Sequence, residues 1–141
     1  MNDPLSKEEI QALLNNSPFI SFMNLKVETL DPDTDTLVMR MPMRPEFERR
    51  AGTGQWHGGP IASLIDTVGD YAVVMKVGAG VPTVNFRTDY LRPGINTDLI
   101  ATAKVRRADG RSSHRSSSPV VKHRHYCPVS RDPLHWSVWS T

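Results

Sequence analysis

The sequence predicts an α+β domain in which a mostly antiparallel sheet wraps one long buried helix. Three observations carry this. Ile61, Leu64, Ile65, Val68, Ala72 and Met75 recur at helical spacing, and Val73 and Val74 widen the stripe, so that helix is apolar nearly all round. Segments that alternate apolar and polar residues lie on both sides of it. The chain has 141 residues, enough for one domain and too few for two ordinary ones, so residues 1–141 are expected to share one core.

The elements follow in order. Ser6 and Glu9 fit a capping box, and Ile10, Leu13 and Leu14 continue it as a short amphipathic helix over about 6–15, which Pro18 ends. Phe22–Thr29 reads as a strand, with Leu25, Val27 and Thr29 on one face. Asp31-Pro32-Asp33-Thr34-Asp35 is a turn. Thr36–Met43 is a second strand that places Leu37, Met39, Met41 and Met43 together, with Pro42 marking an edge or bulge. Residues 44–56 lack periodicity and read as a loop. Pro60 suits the first position of the long helix, which Gly78 and Gly80 close. Thr83–Leu91 and Asp98–Arg106 are strands, the first stopped by Arg92-Pro93-Gly94. Asp109-Gly110 is a hairpin signal. Val120–Cys127 and Leu134–Val138 are weaker strand candidates.

The segment His57-Gly58-Gly59-Pro60-Ile61-Ala62-Ser63-Leu64-Ile65-Asp66 carries the chemistry. A helix start, an imidazole and a carboxylate suit acyl transfer without a metal. The reaction passes through an oxyanion, and fixed N–H donors aimed at that oxygen are worth about 3 kcal/mol each. Glycine lets the backbone approach a ligand closely. Pro60 has no N–H, so the donors come from Gly58, Gly59 or Ile61. An ionised Asp66 on an apolar helix is costly unless it is hydrated, paired or used. The plain alternative is that Ser63, Asp66, Thr67 and Asp70 form a stripe that faces water, with His57 only capping the helix.

At these residues the chain resembles hotdog-fold thioesterases of the phenylacetic-acid-degradation (PaaI-like) type. The likeness rests on His57-Gly58-Gly59 with Asp66 nine residues after the histidine, and on Thr83-Val84-Asn85-Phe86 leading to Tyr90-Leu91-Arg92-Pro93. The resemblance implies hydrolysis of acyl-CoA by a homodimer or a dimer of dimers, each site lying between subunits. It makes Asp66 the nucleophile or general base and the Gly58 amide the oxyanion donor. His57 then orients the site, and Thr83 lies near the attacking water. Gly59, Gln55 and Arg92 are the expected substrate contacts, Arg92 for the coenzyme A phosphates. Arg87, Lys104, Arg106 and Arg107 are further candidates for those phosphates. No cofactor and no metal is implied.

Two features depart from the family pattern. Ala51 stands where many relatives carry Asn or Gln, although Thr53 and Gln55 are close by. Residues 111–141 lack the family's apolar alternation and are rich in Arg, Ser and His. One explanation is a reading-frame shift near residue 110; the other is a divergent native edge.

Composition excludes other classes. Residues 1–103 hold 9 basic and 13 acidic side chains, against 8 and 2 in 104–141. The basic tail could meet phosphates, but with no ordered motif around it nucleic-acid binding is not expected. Met1–Ile10 is polar and no apolar run approaches the ~20 residues of a membrane span, so neither a secretory leader nor a membrane partner is expected. With Cys127 alone, no internal disulfide forms, and a cytoplasmic setting is expected. His123-x-His125-x-Cys127 could hold zinc on one strand face but lacks a second ligand pair. No Gly-x-Ser-x-Gly elbow, P-loop or dinucleotide-binding glycine run occurs. The rival readings are an acyl-CoA-binding module without hydrolysis, which Ala51 favours, and a hotdog hydratase.

Overall fold

A computed structural model of the chain describes residues 5–80, 82–105, 121–126 and 135–140, the last two segments by their backbone. Helix α1 spans Lys7–Asn16 and carries the expected capping box: Ser6 Oγ accepts from the Glu9 N–H, and a Glu9 carboxylate oxygen accepts from the Ser6 N–H. Ile10 and Leu14 bury its inner face.

The expected strand at Phe22–Thr29 is not what forms. Pro18–Met23 is a second helix, α2, whose N-cap Ser17 accepts from the Ile20 N–H. Pro18 ends one helix and opens the next, because its missing N–H costs nothing in a first turn. Asn24, left-handed at φ 55°, closes α2. Strand β1 therefore begins late and spans Lys26–Asp31. A bulge between Val27 and Thr29 breaks its alternation, so Leu25 and Val27 are buried and Thr29 is exposed.

Strand β2, Thr36–Met41, buries Leu37, Met39 and Met41 completely and stops before Pro42, which leaves Met43 half-buried. The segment read as plain loop is built: Pro45–Phe47 forms a 3₁₀ turn, and isolated bridges join Glu48 to Trp56 and Gln55 to Ile95. Helix α3 spans Gly58–Val77, with His57 as its N-cap and left-handed Gly78 at its end. Pro60 is its third residue rather than its first, still inside the turn where an N–H has no intrahelical acceptor. Strand β3 is Thr83–Arg87, shorter than expected, and β4 is Leu99–Val105. Strands β5, Val121–Tyr126, and β6, His135–Ser140, fall where the weak patterning placed them. Asp109-Gly110 and the Ser/Arg-rich stretch 111–118 lie outside the described residues.

The six strands form one sheet in the order β1-β2-β4-β6-β5-β3. The pairs β1/β2, β2/β4 and β5/β6 are antiparallel, while β4/β6 and β3/β5 run parallel. Helix α3 lies against β2, β3, β4, β5 and β6, so the sheet wraps the helix as its all-round apolar surface requires. Leu64, Ile65 and Val68 of α3 share the core with Leu37, Met39, Leu99 and Ala101. Among the described residues no helix is long and apolar enough to cross a membrane.

Candidate active site

The approach to α3 is anchored before His57 is reached. Trp56 is buried, stacks on Phe47 at 5.6 Å between ring centroids, and donates its indole N–H to the Thr97 carbonyl at 2.8 Å. Phe47 also meets Phe22 of α2 edge-on, so the unforeseen helix buttresses this loop. The His57 N–H donates to the Phe47 carbonyl at 2.8 Å. Gly54 bends the loop at φ 62°, and a Cβ there would lie 1.8 Å from Asn96 Oδ1, so only glycine fits without displacement.

At the helix start the His57 Nδ1 accepts from the Gly59 N–H at 3.0 Å. That bond makes His57 the cap and commits the Gly59 amide. Pro60 has no N–H, and Ile61 is the first residue able to donate back to the cap carbonyl. The Gly58 amide is left as the first-turn donor suited to an external oxygen, with the positive end of the helix dipole behind it. A Cβ on Gly59 would sit 3.2 Å from His57 Nδ1 and press on the ring. Tyr90, from the segment after β3, donates its hydroxyl to the Gly58 carbonyl at 3.0 Å and lays its ring over Gly58.

Asp66 forms a second cluster, on the half-buried side of α3. The Thr83 hydroxyl lies 2.9 Å from Asp66 Oδ1 and 2.9 Å from Asp70 Oδ1. It carries one proton, so it donates to one carboxylate at a time. The polar stripe does not simply face water: Thr67 is buried, and Thr67 and Ser63 bond back to the carbonyls of Ser63 and Gly59. Burial raises the Tyr71 phenol above its ordinary pKa, and the neighbouring Asp70 charge adds to the shift.

The structure thus joins Asp66 to Thr83, and His57 to Gly58 and Gly59, but keeps the two clusters apart. Asp66 lies eight residues beyond Gly58, about 12 Å along the helix axis at 1.5 Å per residue. One helix cannot bring both to one carbonyl. Gln55 sits half-buried beside His57, its backbone paired with Ile95 and its carbonyl accepting from Arg49. Ala51 is exposed in a loop whose Gly52 and Gly54 amides donate to the Glu48 carboxylate. Arg92 and Lys104 are exposed, and Arg87 directs two nitrogens at Asp89 Oδ1. Arg106, Arg107 and Cys127, and the side chains of His123 and His125, lie outside what the structure describes.

In the sequence Asp70 stands only as a member of the polar stripe, and Tyr90 only in a strand ending. Asp70 had a usable signal, since residues four apart share a helix face. Tyr90 had none, because its contact depends on β3 stopping at Arg87.

Residues 53–114 match the model of the thioesterase superfamily, a span that holds every site residue named above from Thr53 to Lys104. Over 101 residues the chain is 36% identical to "Putative esterase VNG_1336C" of Halobacterium salinarum, covering 68% of this chain and 65% of that protein. The matched region is therefore under two thirds of that relative's length. A solved structure described as from the thioesterase superfamily superposes with a TM-score of 0.57 at 24% identity, over 85% of this chain and 74% of its own. A thioesterase from Haemophilus influenzae gives 0.60 at 22% identity, over 70% and 66%. The fold is the hotdog fold, a sheet wrapped around one long central helix.

Proposed function

We propose that this chain is a thioester hydrolase of the thioesterase superfamily, PaaI-like in its motifs, that splits acyl-CoA into a free acid and coenzyme A. The observation that carries the reading is the Asp66 carboxylate held at 2.9 Å by the Thr83 hydroxyl, on the same helix whose start offers the Gly58 amide. Asp66 acts as nucleophile or as general base toward water. The tetrahedral oxyanion rests on the Gly58 N–H, and its collapse expels the coenzyme A thiolate. His57 orients the thioester, Gly59 and Gln55 line its approach, and Arg92 meets the phosphates.

The 12 Å step between the clusters supports a homodimer, or a dimer of dimers, in which Asp66 of one chain faces the Gly58 loop of the other. An exposed apolar group beside that loop, Tyr90, Leu91 and Ile95, suits burial by a second copy or an acyl chain.

Free-thiol release from aromatic and straight-chain acyl-CoAs, wild type beside Asp66→Asn, tests this. The variant keeps the shape of the side chain and loses its basicity, so turnover should fall by about 10²-fold or more. A folded Asp66→Asn protein with most of its turnover would contradict the assignment. Ala51 favours a second reading, binding without hydrolysis, because its methyl offers no polar group to position a carbonyl or water. Acyl-CoA bound by folded wild type with no thiol released from any substrate would select it.

A further inference from the structure

Tyr90 and His57 hold the two ends of one peptide group. The Gly58–Gly59 peptide presents its oxygen to the Tyr90 hydroxyl at 3.0 Å and its N–H to His57 Nδ1 at 3.0 Å. We propose that Tyr90 is a positioning residue that acts through this peptide on the ring of His57. The inference rests on the hydrolase reading for its catalytic consequence, but its physical core does not.

A hydroxyl donating to an amide oxygen draws electron density toward that oxygen and makes the N–H of the same peptide a stronger donor. The Gly59 N–H then holds Nδ1 more firmly. Nδ1 is the acceptor, so the neutral imidazole carries its proton on Nε2, the nitrogen left to meet substrate. Two contacts fix the geometry at either end. The Tyr90 ring lies 3.5 Å from where a Gly58 Cβ would be, ordinary packing contact. His57 Nδ1 lies 3.2 Å from the corresponding point on Gly59, so the imidazole is closely seated. Tyr90 is itself half-exposed, at 53%, which makes simple core packing a poor account of its hydroxyl. His57 is itself an exposed residue. A turn of the Gly58–Gly59 peptide by a few tens of degrees would move the Gly59 N–H and, with it, the His57 ring that it holds.

Tyr90→Phe keeps the ring and removes only the hydroxyl. The decisive readouts are the nitrogen signals of the His57 ring by NMR and the exchange rate of the Gly59 amide. In wild type, Nδ1 should appear as a hydrogen-bonded acceptor and Nε2 as protonated. In Tyr90→Phe the Gly59 amide should exchange several-fold faster, and the ring should show a mixture of tautomers. With an acyl-CoA that wild type hydrolyses, kcat should fall about 3- to 10-fold, the equivalent of one neutral hydrogen bond, and KM should change less than about twofold. Unchanged ring signals and unchanged Gly59 exchange overturn the proposal, whatever happens to turnover. A fall in kcat without those changes does so too, because Tyr90 would then act elsewhere. Should wild type release no thiol, the hydrolase reading fails, and the ring signals and Gly59 exchange still decide the link between Tyr90 and His57.

Discussion

Thr83 has one hydroxyl proton and two carboxylates within 2.9 Å of it. This is the feature that separates Asp66 from a carboxylate that merely points to solvent. When the proton faces Asp66 it fixes one oxygen of that carboxylate. When it faces Asp70, Asp66 loses that restraint. Thr83→Val keeps the β-branched shape and removes the donor, so kcat should drop about tenfold, the loss of a hydrogen bond to a charged group, while KM changes little. Steady-state kinetics on the best acyl-CoA check this, and an unchanged kcat would place the threonine outside the reaction. The decamer His57–Asp66 was legible because its glycines and its spaced acid are local. Thr83 reached the candidate site through family likeness alone. Asp70 was readable from helical spacing but looked like an ordinary surface acid until Thr83 was seen between the two carboxylates.

Among the elements, the loop before α3 has the most direct effect on the site. It sets where His57 stands, and its own shape depends on Gly54, left-handed at φ 62° and packed on Asn96. Gly54→Ala should cost about 1–2 kcal/mol, since an L side chain in that conformation is strained before any clash is counted. Urea denaturation measures it, and a neutral result would mean the loop can rearrange. The first helix offers a pH test. The Ser6 N–H, with the Ser6 hydroxyl, lowers the Glu9 pKa from its ordinary value. A lowered pKa means this contribution to α1 is present above the ordinary carboxylate value and is lost as pH falls through the folded one. The Ser6 amide resonance should therefore titrate at a pH below that of a free glutamate; a midpoint at or above the free value would remove the capping box from the account. Periodicity identified α1, β2 and β4, which each have one consistently buried face, and α3, whose apolar residues recur at helical spacing nearly all round. It failed at α2, where six residues around a proline show too little pattern, and at β1, where the bulge turns Thr29 outward. The 3₁₀ turn and bridges of residues 45–56 depend on aromatic contacts between Phe22, Phe47 and Trp56 that no local pattern encodes.

At the scale of the whole molecule, one long helix decides both the fold and the limits of a single chain. Its apolar surface calls for a sheet around it, and β2, β3, β4, β5 and β6 supply one. Its length separates the amide at its start from the carboxylate near its middle. The proposed mechanism therefore asks two chains to contribute, the His57 loop from one and Asp66 from the other. Subunit complementation tests this most directly. His57→Ala and Asp66→Asn chains, each inactive alone, are mixed under conditions that allow subunit exchange, and thiol release from an acyl-CoA is followed. If the site is shared, each hybrid dimer contains one intact site, and random pairing restores about a quarter of wild-type activity. If both residues serve within one chain, every site in the mixture carries a defect and activity stays at the level of the separate variants, which would contradict the account.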